Sequence, residues 1–263
     1  MTGEIGPTEA SSDERPQINT STDRFEQALL NATAELKAEF GRDLVGLLFA
    51  GSAAYGTPMP NSDVDLYVLI GPNWRQRRNR FFEGVEVEMF INPVAQIRRE
   101  FDEGEWTTVD MFSRGRVHYD PTGVVAQLAE VARRIAAEPP QTPGDAELYF
   151  IRYRPSDLIR DVEDLVDDDR ASAEMLMGVA LQTALDAYWQ IRGLHPPKPK
   201  LLLEAFRTEA PELAPHVDHI TDVSHQLEDR IARLRGLCEL VLEPVGGLMR
   251  EAQTPPEHLP DAD

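Results

Sequence analysis

The chain has one cysteine, Cys238, in 263 residues. A lone thiol has no partner for an intramolecular disulfide and supplies no thiolate framework for a metal, which excludes a disulfide-stapled secreted scaffold and fits a reducing compartment. Positive charge is scarce as well: 26 lysines and arginines stand against 46 aspartates and glutamates, a formal net charge of -20. Tracking a nucleic-acid backbone takes a concentrated basic face, so nucleic acid is not the expected partner. The one local basic cluster, Arg75, Arg77, Arg78 and Arg80, reads as the solvated face of a helix. No apolar run approaches the ~20 residues of a membrane span. The N-terminus lacks the basic start and apolar core of a signal peptide, and a cytoplasmic protein is expected. Repeats at solenoid period are absent. The histidines show no convincing metal spacing: His216 and His219 lie three apart without a third ligand beside them.

What is present is enough to build a core, with 41% hydrophobic residues and ample length for one large domain or two modest ones. Residues 1–22 carry Thr, Ser, Glu, Pro and Gly and hardly any large apolar side chain, so they are expected to be a disordered arm. The proline-rich residues 251–263 read as a flexible tail for the same reason. Between them a catalytic domain is expected over 23–121 and a helical bundle over 122–250.

In the first of these, Phe25, Leu29, Ala32, Leu36 and Phe40 recur at helical spacing, with Asp23 as the candidate N-cap and Gly41 as the stop. Leu44–Ala50 and Val64–Ile70 read as buried strands, and Val85–Ile91 alternates like a third. Trp74–Phe82 is expected to be a short helix, and Asn92-Pro93 closes the third strand ahead of an amphipathic helix carrying Val94, Ile97 and Phe101. This order predicts an α/β (α+β) fold, a small mixed sheet with flanking helices. After Pro121 the pattern is helical: Val124–Ala137, then Ala146 to about Val166 interrupted by Pro155, Ala171–Ile191, Lys200–Arg207 and Val217–Leu242. Pro139, Pro140 and Pro143 punctuate that region as a boundary would. Tyr188 and Trp189 are expected in the bundle core.

The run Gly51-Ser52-Ala53-Ala54-Tyr55-Gly56 follows the first strand, and Ser62-Asp63-Val64-Asp65-Leu66 enters the second. Side chains two apart on a strand point the same way, so Asp63 and Asp65 can share a metal ion. Gly51 lets backbone approach a phosphate closely, and Ser52 offers it a hydroxyl. A third carboxylate must come from a neighbouring strand. Glu86 and Glu88 both lie on the polar face of the third strand, and alternation alone does not choose between them. Glu88 is preferred because it sits deeper, directly before Met89-Phe90-Ile91. Three oxygen ligands of this kind suit magnesium.

Taken together, Gly51-Ser52, Tyr55-Gly56, Ser62-Asp63-Val64-Asp65-Leu66 and the acid-bearing strand Gly84-Val85-Glu86-Val87-Glu88-Met89-Phe90 resemble the signature of the nucleotidyltransferase superfamily that includes DNA polymerase beta. The resemblance covers residues 44–93. Here Glu replaces the Asp more usual in the polymerases at the third acid. The layout is similar to small bacterial members such as kanamycin nucleotidyltransferase and streptomycin adenylyltransferase, with a catalytic domain followed by helices that help hold the acceptor. The resemblance implies that Asp63, Asp65 and Glu88 hold Mg2+ and that Gly51 and Ser52 bind ATP or another nucleoside triphosphate. It further implies that a nucleoside monophosphate passes to a hydroxyl of a small molecule, aminoglycoside-like in one version, with release of pyrophosphate. An AMPylating, antitoxin-type enzyme that modifies a protein and a catalytically idle nucleotide sensor are the alternatives. A homodimer or a protein partner is compatible with either.

In the same enzymes a carboxylate of the helical domain often serves as general base. Glu147 is the weak candidate here, and a solvated acid at a helix N-terminus is the plainer account of it. The acidic run from Asp161 to Asp169 can attract a polycation or simply face water. Arg152, Arg154 and Lys200 are expected either to reach the triphosphate or to pair with those acids.

Overall fold

The computed structural model describes residues 20–251. Most of the expected arm and tail therefore lies outside the described residues. The chain divides into two compact units, Met1–Glu138 and Pro139–Asp263.

The first unit opens with helix α1 (Thr20–Phe40). It begins three residues before the expected cap Asp23, so that residue lies inside the helix. Strands β1 (Leu44–Ala50) and β2 (Val64–Ile70) fall where their apolar runs predict. Between them a single helical turn, α2 (Gly51–Ala54), leads into the return loop. The segment expected as a helix after β2 is instead strand β3 (Gln76–Phe82), an antiparallel partner of β4 (Val85–Pro93). Its turn consists of two residues with positive φ, Glu83 at 52° and Gly84 at 81°. Such a turn matches the right-handed twist of paired strands, and the tight hairpin outweighs the weak helical pattern of Trp74–Phe82. Arg78 and Arg80, expected on a solvated helix face, tie this edge strand to α1 through Glu39 and Glu35.

Helices α3 (Val94–Asp102) and α4 (Trp106–Arg114), the short strand β5 (Arg116–Tyr119) and helix α5 (Val124–Ala137) complete the unit. The sheet order is β3-β4-β2-β1-β5. Only the β2–β4 pairing is parallel. One face packs on α1, where Phe25, Leu29, Ala32 and Leu36 meet Leu47, Leu66, Val68, Met89 and Ile91. The other face, carrying Leu48, Tyr67 and Leu69, packs on Ile97, Phe101, Phe112 and the α5 residues Val125, Leu128 and Ala129. Each large side chain so buried contributes about 1.5–3 kcal/mol. Because α5 spends its apolar stripe on this sheet, the division falls after Glu138 and not at the expected residue 122.

The second unit is helical: α6 (Asp145–Leu165), α7 (Arg170–Ile191), α8 (Leu202–Glu209), α9 (Ala214–Thr221) and α10 (Leu227–Leu242). Pro155 does not break α6, which runs through it. The stretch expected as one helix from Val217 to Leu242 is two, parted where Asp222 accepts the Ser224 backbone N–H at 2.9 Å. That short side-chain turn offers the backbone an alternative to continuing the helix. Tyr188, Trp189, Phe206, Leu234 and Cys238 lie in the core, as expected for the two aromatics of α7. Buried Arg230 donates to both Glu174 carboxylate oxygens at 2.9 Å and to the Ile220 carbonyl at 2.7 Å. No helix among the described residues is long and apolar enough to cross a membrane.

Candidate active site

The site lies where β1 ends and β2 begins, beside the first half of β4. Register pairs Ala50 with Asp65 across the antiparallel β1–β2 ladder and Asp65 with Glu88 across the parallel β2–β4 ladder. Residues in register on neighbouring strands point to the same face, so both carboxylates stand on the side that carries Tyr67 and Phe90 further along. Asp63, just before β2, completes the group. Ligand oxygens of Asp63, Asp65 and Glu88 all lie within 4.8 Å of one another. Asp65 and Glu88 are each only 8% exposed, and Asp63 is half-buried.

Three carboxylates this close repel one another unless a cation sits among them. Hard oxygen donors in this number and spacing fit a divalent ion such as magnesium. The structure also supplies a countercharge of its own. Arg77 donates from Nε and from a terminal guanidinium nitrogen to Glu88 Oε1. Its guanidinium lies 5.2 Å from the Phe90 ring centroid. Glu86, the other candidate acid, stands apart from the group, half-buried and accepting the Asn79 side-chain amide at 2.6 Å.

Gly51 begins the turn above the carboxylates with φ of 76°. A Cβ at that position would lie 1.8 Å from Asp65 Oδ2, so only glycine admits the carboxylate there. The Ser52 and Ser62 hydroxyls are 2.8 Å apart, and Ser62 Oγ also accepts the Met59 backbone N–H at 2.8 Å. These bonds pin the loop between β1 and β2 and hold Ser52 over the strand ends. Tyr55, in the same turn, stacks under the Arg114 guanidinium at 4.0 Å. Burial pushes its phenol up to about 12, with the charge of Asp110 adding to the effect.

On the face that carries Tyr67 and Phe90 lies a cavity of about 700 Å³, lined by Tyr67, Arg77, Phe90, Asn92, Glu100 and Thr108 among others. Tyr67 stacks on Phe90 with centroids 4.9 Å apart, and Thr108 donates to Glu100 at 2.8 Å. Burial raises the Tyr67 phenol to about 12, so it stays a neutral hydrogen-bonding group at ordinary pH.

In the helical unit Glu147 accepts the Gly144 backbone N–H at 2.9 Å, closing the N-terminus of α6. Arg152, expected near phosphate or the acidic run, instead donates to the Gly246 and Gly247 carbonyls at 2.6 and 2.8 Å. Of the acidic run, Glu163 pairs with Arg235 at 2.6 Å, and Asp169 caps α7 through Ser172.

The residue that sequence reasoning overlooked is Arg77. Its cluster is visible, but reading it on a helix hides the register that sets it diagonally across from Glu88. The two-residue spacing between Gln76–Phe82 and Val85–Pro93 was the available signal.

No family model matches the chain, and no curated protein matches it. Among solved structures, the chain is similar to a nucleotidyltransferase-like protein from Exiguobacterium sibiricum 255-15. The two are 16% identical over 82% of this chain and 76% of that chain, with a TM-score of 0.49.

Proposed function

We propose that this protein is a metal-dependent nucleotidyltransferase that moves a nucleoside monophosphate, AMP from ATP, to a hydroxyl of a small molecule. One observation carries the reading: the convergence of Asp63, Asp65 and Glu88 within 4.8 Å at the mouth of the Gly51-Ser52 turn. Separated by 25 residues of sequence, these acids meet only because β2 and β4 pair in parallel. The sequence signature read above attaches the same residues to the same reaction.

In this reading Asp63, Asp65 and Glu88 would hold Mg2+, which would supply neutralisation of phosphate charge; the acceptor oxygen bonds to the α-phosphorus as the bond to pyrophosphate breaks, and the hydroxyl proton passes to solvent. Gly51 leaves room for both the Asp65 carboxylate and an approaching phosphate. Ser52, steadied by Ser62, offers a hydroxyl to a phosphate oxygen. Burial of Asp65 and Glu88 keeps their geometry fixed and limits water around the reacting groups.

The test is pyrophosphate release from ATP and Mg2+ with a panel of hydroxylated acceptors, in wild type and in Asp65→Asn. Release by wild type and its loss in the variant, with unchanged far-ultraviolet circular dichroism, is expected. Full turnover by Asp65→Asn defeats the assignment. Label from α-labelled ATP should appear in the low-mass filtrate; label on polypeptide would move the acceptor to a protein.

A further inference from the structure

Arg77 is ion-paired with one of the three acids that would hold the proposed metal. Both of its contacts with Glu88 fall on Oε1, and Glu88 is one of the three acids of the group. The two partners differ sharply in freedom: the Glu88 side chain is 11% exposed and the Arg77 side chain 68%. Glu88 is thus fixed by strand β4, while Arg77 reaches in from the edge strand β3 and can leave without breaking a packed core. Its guanidinium also lies 5.2 Å from the Phe90 ring centroid, at the rim of the neighbouring cavity that Arg77 itself lines.

The other arginines of this strand are committed elsewhere. Arg78 bonds both carboxylate oxygens of Glu39 at 2.6 and 2.9 Å, and Arg80 pairs with Glu35. Arg77 alone among these three is directed at the carboxylate group.

We propose that Arg77 is a built-in countercation of the three-carboxylate group, which a divalent cation must displace from Glu88, and which then serves an anionic nucleotide phosphate. This rests on the reading of Glu88 as a metal ligand. A guanidinium and a divalent cation compete for the same carboxylate charge, so a bare cation binds against the cost of releasing Arg77. A cation arriving with a triphosphate meets no such cost, because the phosphate gives the released guanidinium a new charged partner. The exchange therefore favours loading of the metal–nucleotide complex over loading of free metal. Cation and nucleotide each strengthen the binding of the other, as linkage requires.

The experiment measures Mn2+ binding by electron paramagnetic resonance and calorimetry, with and without a non-hydrolysable ATP analogue. Wild type, Arg77→Gln, Arg77→Lys, Arg80→Gln and Asp65→Asn are compared, so that the readout does not depend on turnover. Arg77→Gln should bind Mn2+ alone about fivefold more tightly than wild type, a modest coupling for two interacting sites. It should also lose most of the strengthening that the analogue gives wild type. Arg80→Gln removes a charge from the same strand without touching Glu88 and should leave Mn2+ affinity at the wild-type value. Arg77→Lys, which keeps the charge but loses the planar fork, should fall between wild type and Arg77→Gln. Equal or weaker Mn2+ binding by Arg77→Gln overturns the proposal, as does an equal gain in Arg80→Gln. If wild type and Asp65→Asn bind Mn2+ alike, the metal site itself fails, and the role of Arg77 falls with it.

Discussion

A Cβ on Gly51 would stand 1.8 Å from Asp65 Oδ2, so the first residue of the turn and the central acid of the site occupy one another's space. The contact explains why a glycine directly follows β1. Asp65 is held on β2 opposite Ala50, and no side chain fits between its carboxylate and the turn.

Gly51→Ala should therefore damage the site and the fold together. The left-handed φ of 76° alone costs a residue with a Cβ roughly 1–2 kcal/mol. The clash then displaces Asp65, so Mn2+ binding and pyrophosphate release should both be lost while urea unfolding shows a lowered midpoint. A fully active, equally stable variant would contradict the geometry.

The choice between the two acids of β4 can be read from a matched pair of substitutions. Glu88→Gln should lower turnover by about a hundredfold or more, in line with losing a preorganised charged group at a phosphoryl site. Glu86→Gln, changed where the carboxylate meets only Asn79, should stay within about twofold of wild type, since surface changes away from special features have small effects. Steady-state pyrophosphate release under saturating ATP decides it, and the opposite ranking would move the third ligand to Glu86.

The hairpin turn offers a stabilising change. Glu83 takes φ of 52°, which Asn tolerates better than Glu, and Asn-Gly is the favoured pair for this turn. Glu83→Asn should raise stability by about 0.5 kcal/mol despite losing the exposed bond from Asn31 at 3.1 Å. Urea denaturation at neutral pH should show a higher midpoint with an unchanged slope.

Acid should loosen the tie between α1 and β3. The side-chain hydrogen bond from Arg78 holds the Glu39 carboxyl below the ordinary glutamate range. Between its lowered folded value and its ordinary unfolded one, the unfolded chain binds the extra proton. The pair's contribution is thus complete above the unfolded value and disappears as pH falls through the folded one. Glu39→Gln should flatten that limb of stability against pH in urea titrations, and identical acid limbs would show that the pair contributes nothing.

The site was more legible than its surroundings. Gly51, Ser52, Asp63 and Asp65 lie within one short stretch whose strand spacing already sets two carboxylates on one face. Glu88 could be preferred to Glu86 only by depth in the strand, and register with Asp65 supplies the firmer reason. Trp74–Phe82 misled because its arginines carry no apolar period. Its strand state comes from pairing with β4 and from ion pairs to α1, both distant in sequence. The break at Asp222 was hidden for a related reason, since a single local side-chain bond there overrides an otherwise continuous helical pattern.

By itself, the sequence determined the strands β1 and β2, the glycine-led turn between them, the amphipathic helices and the residue types of the site, because apolar period and glycine placement act over a few neighbours. Only the tertiary structure decided that β2 and β4 pair in parallel, that α5 belongs with the sheet, and that Arg77 rests on Glu88. Those outcomes depend on which strands become neighbours and which faces they cover, and that is settled by burying both faces of one sheet at once.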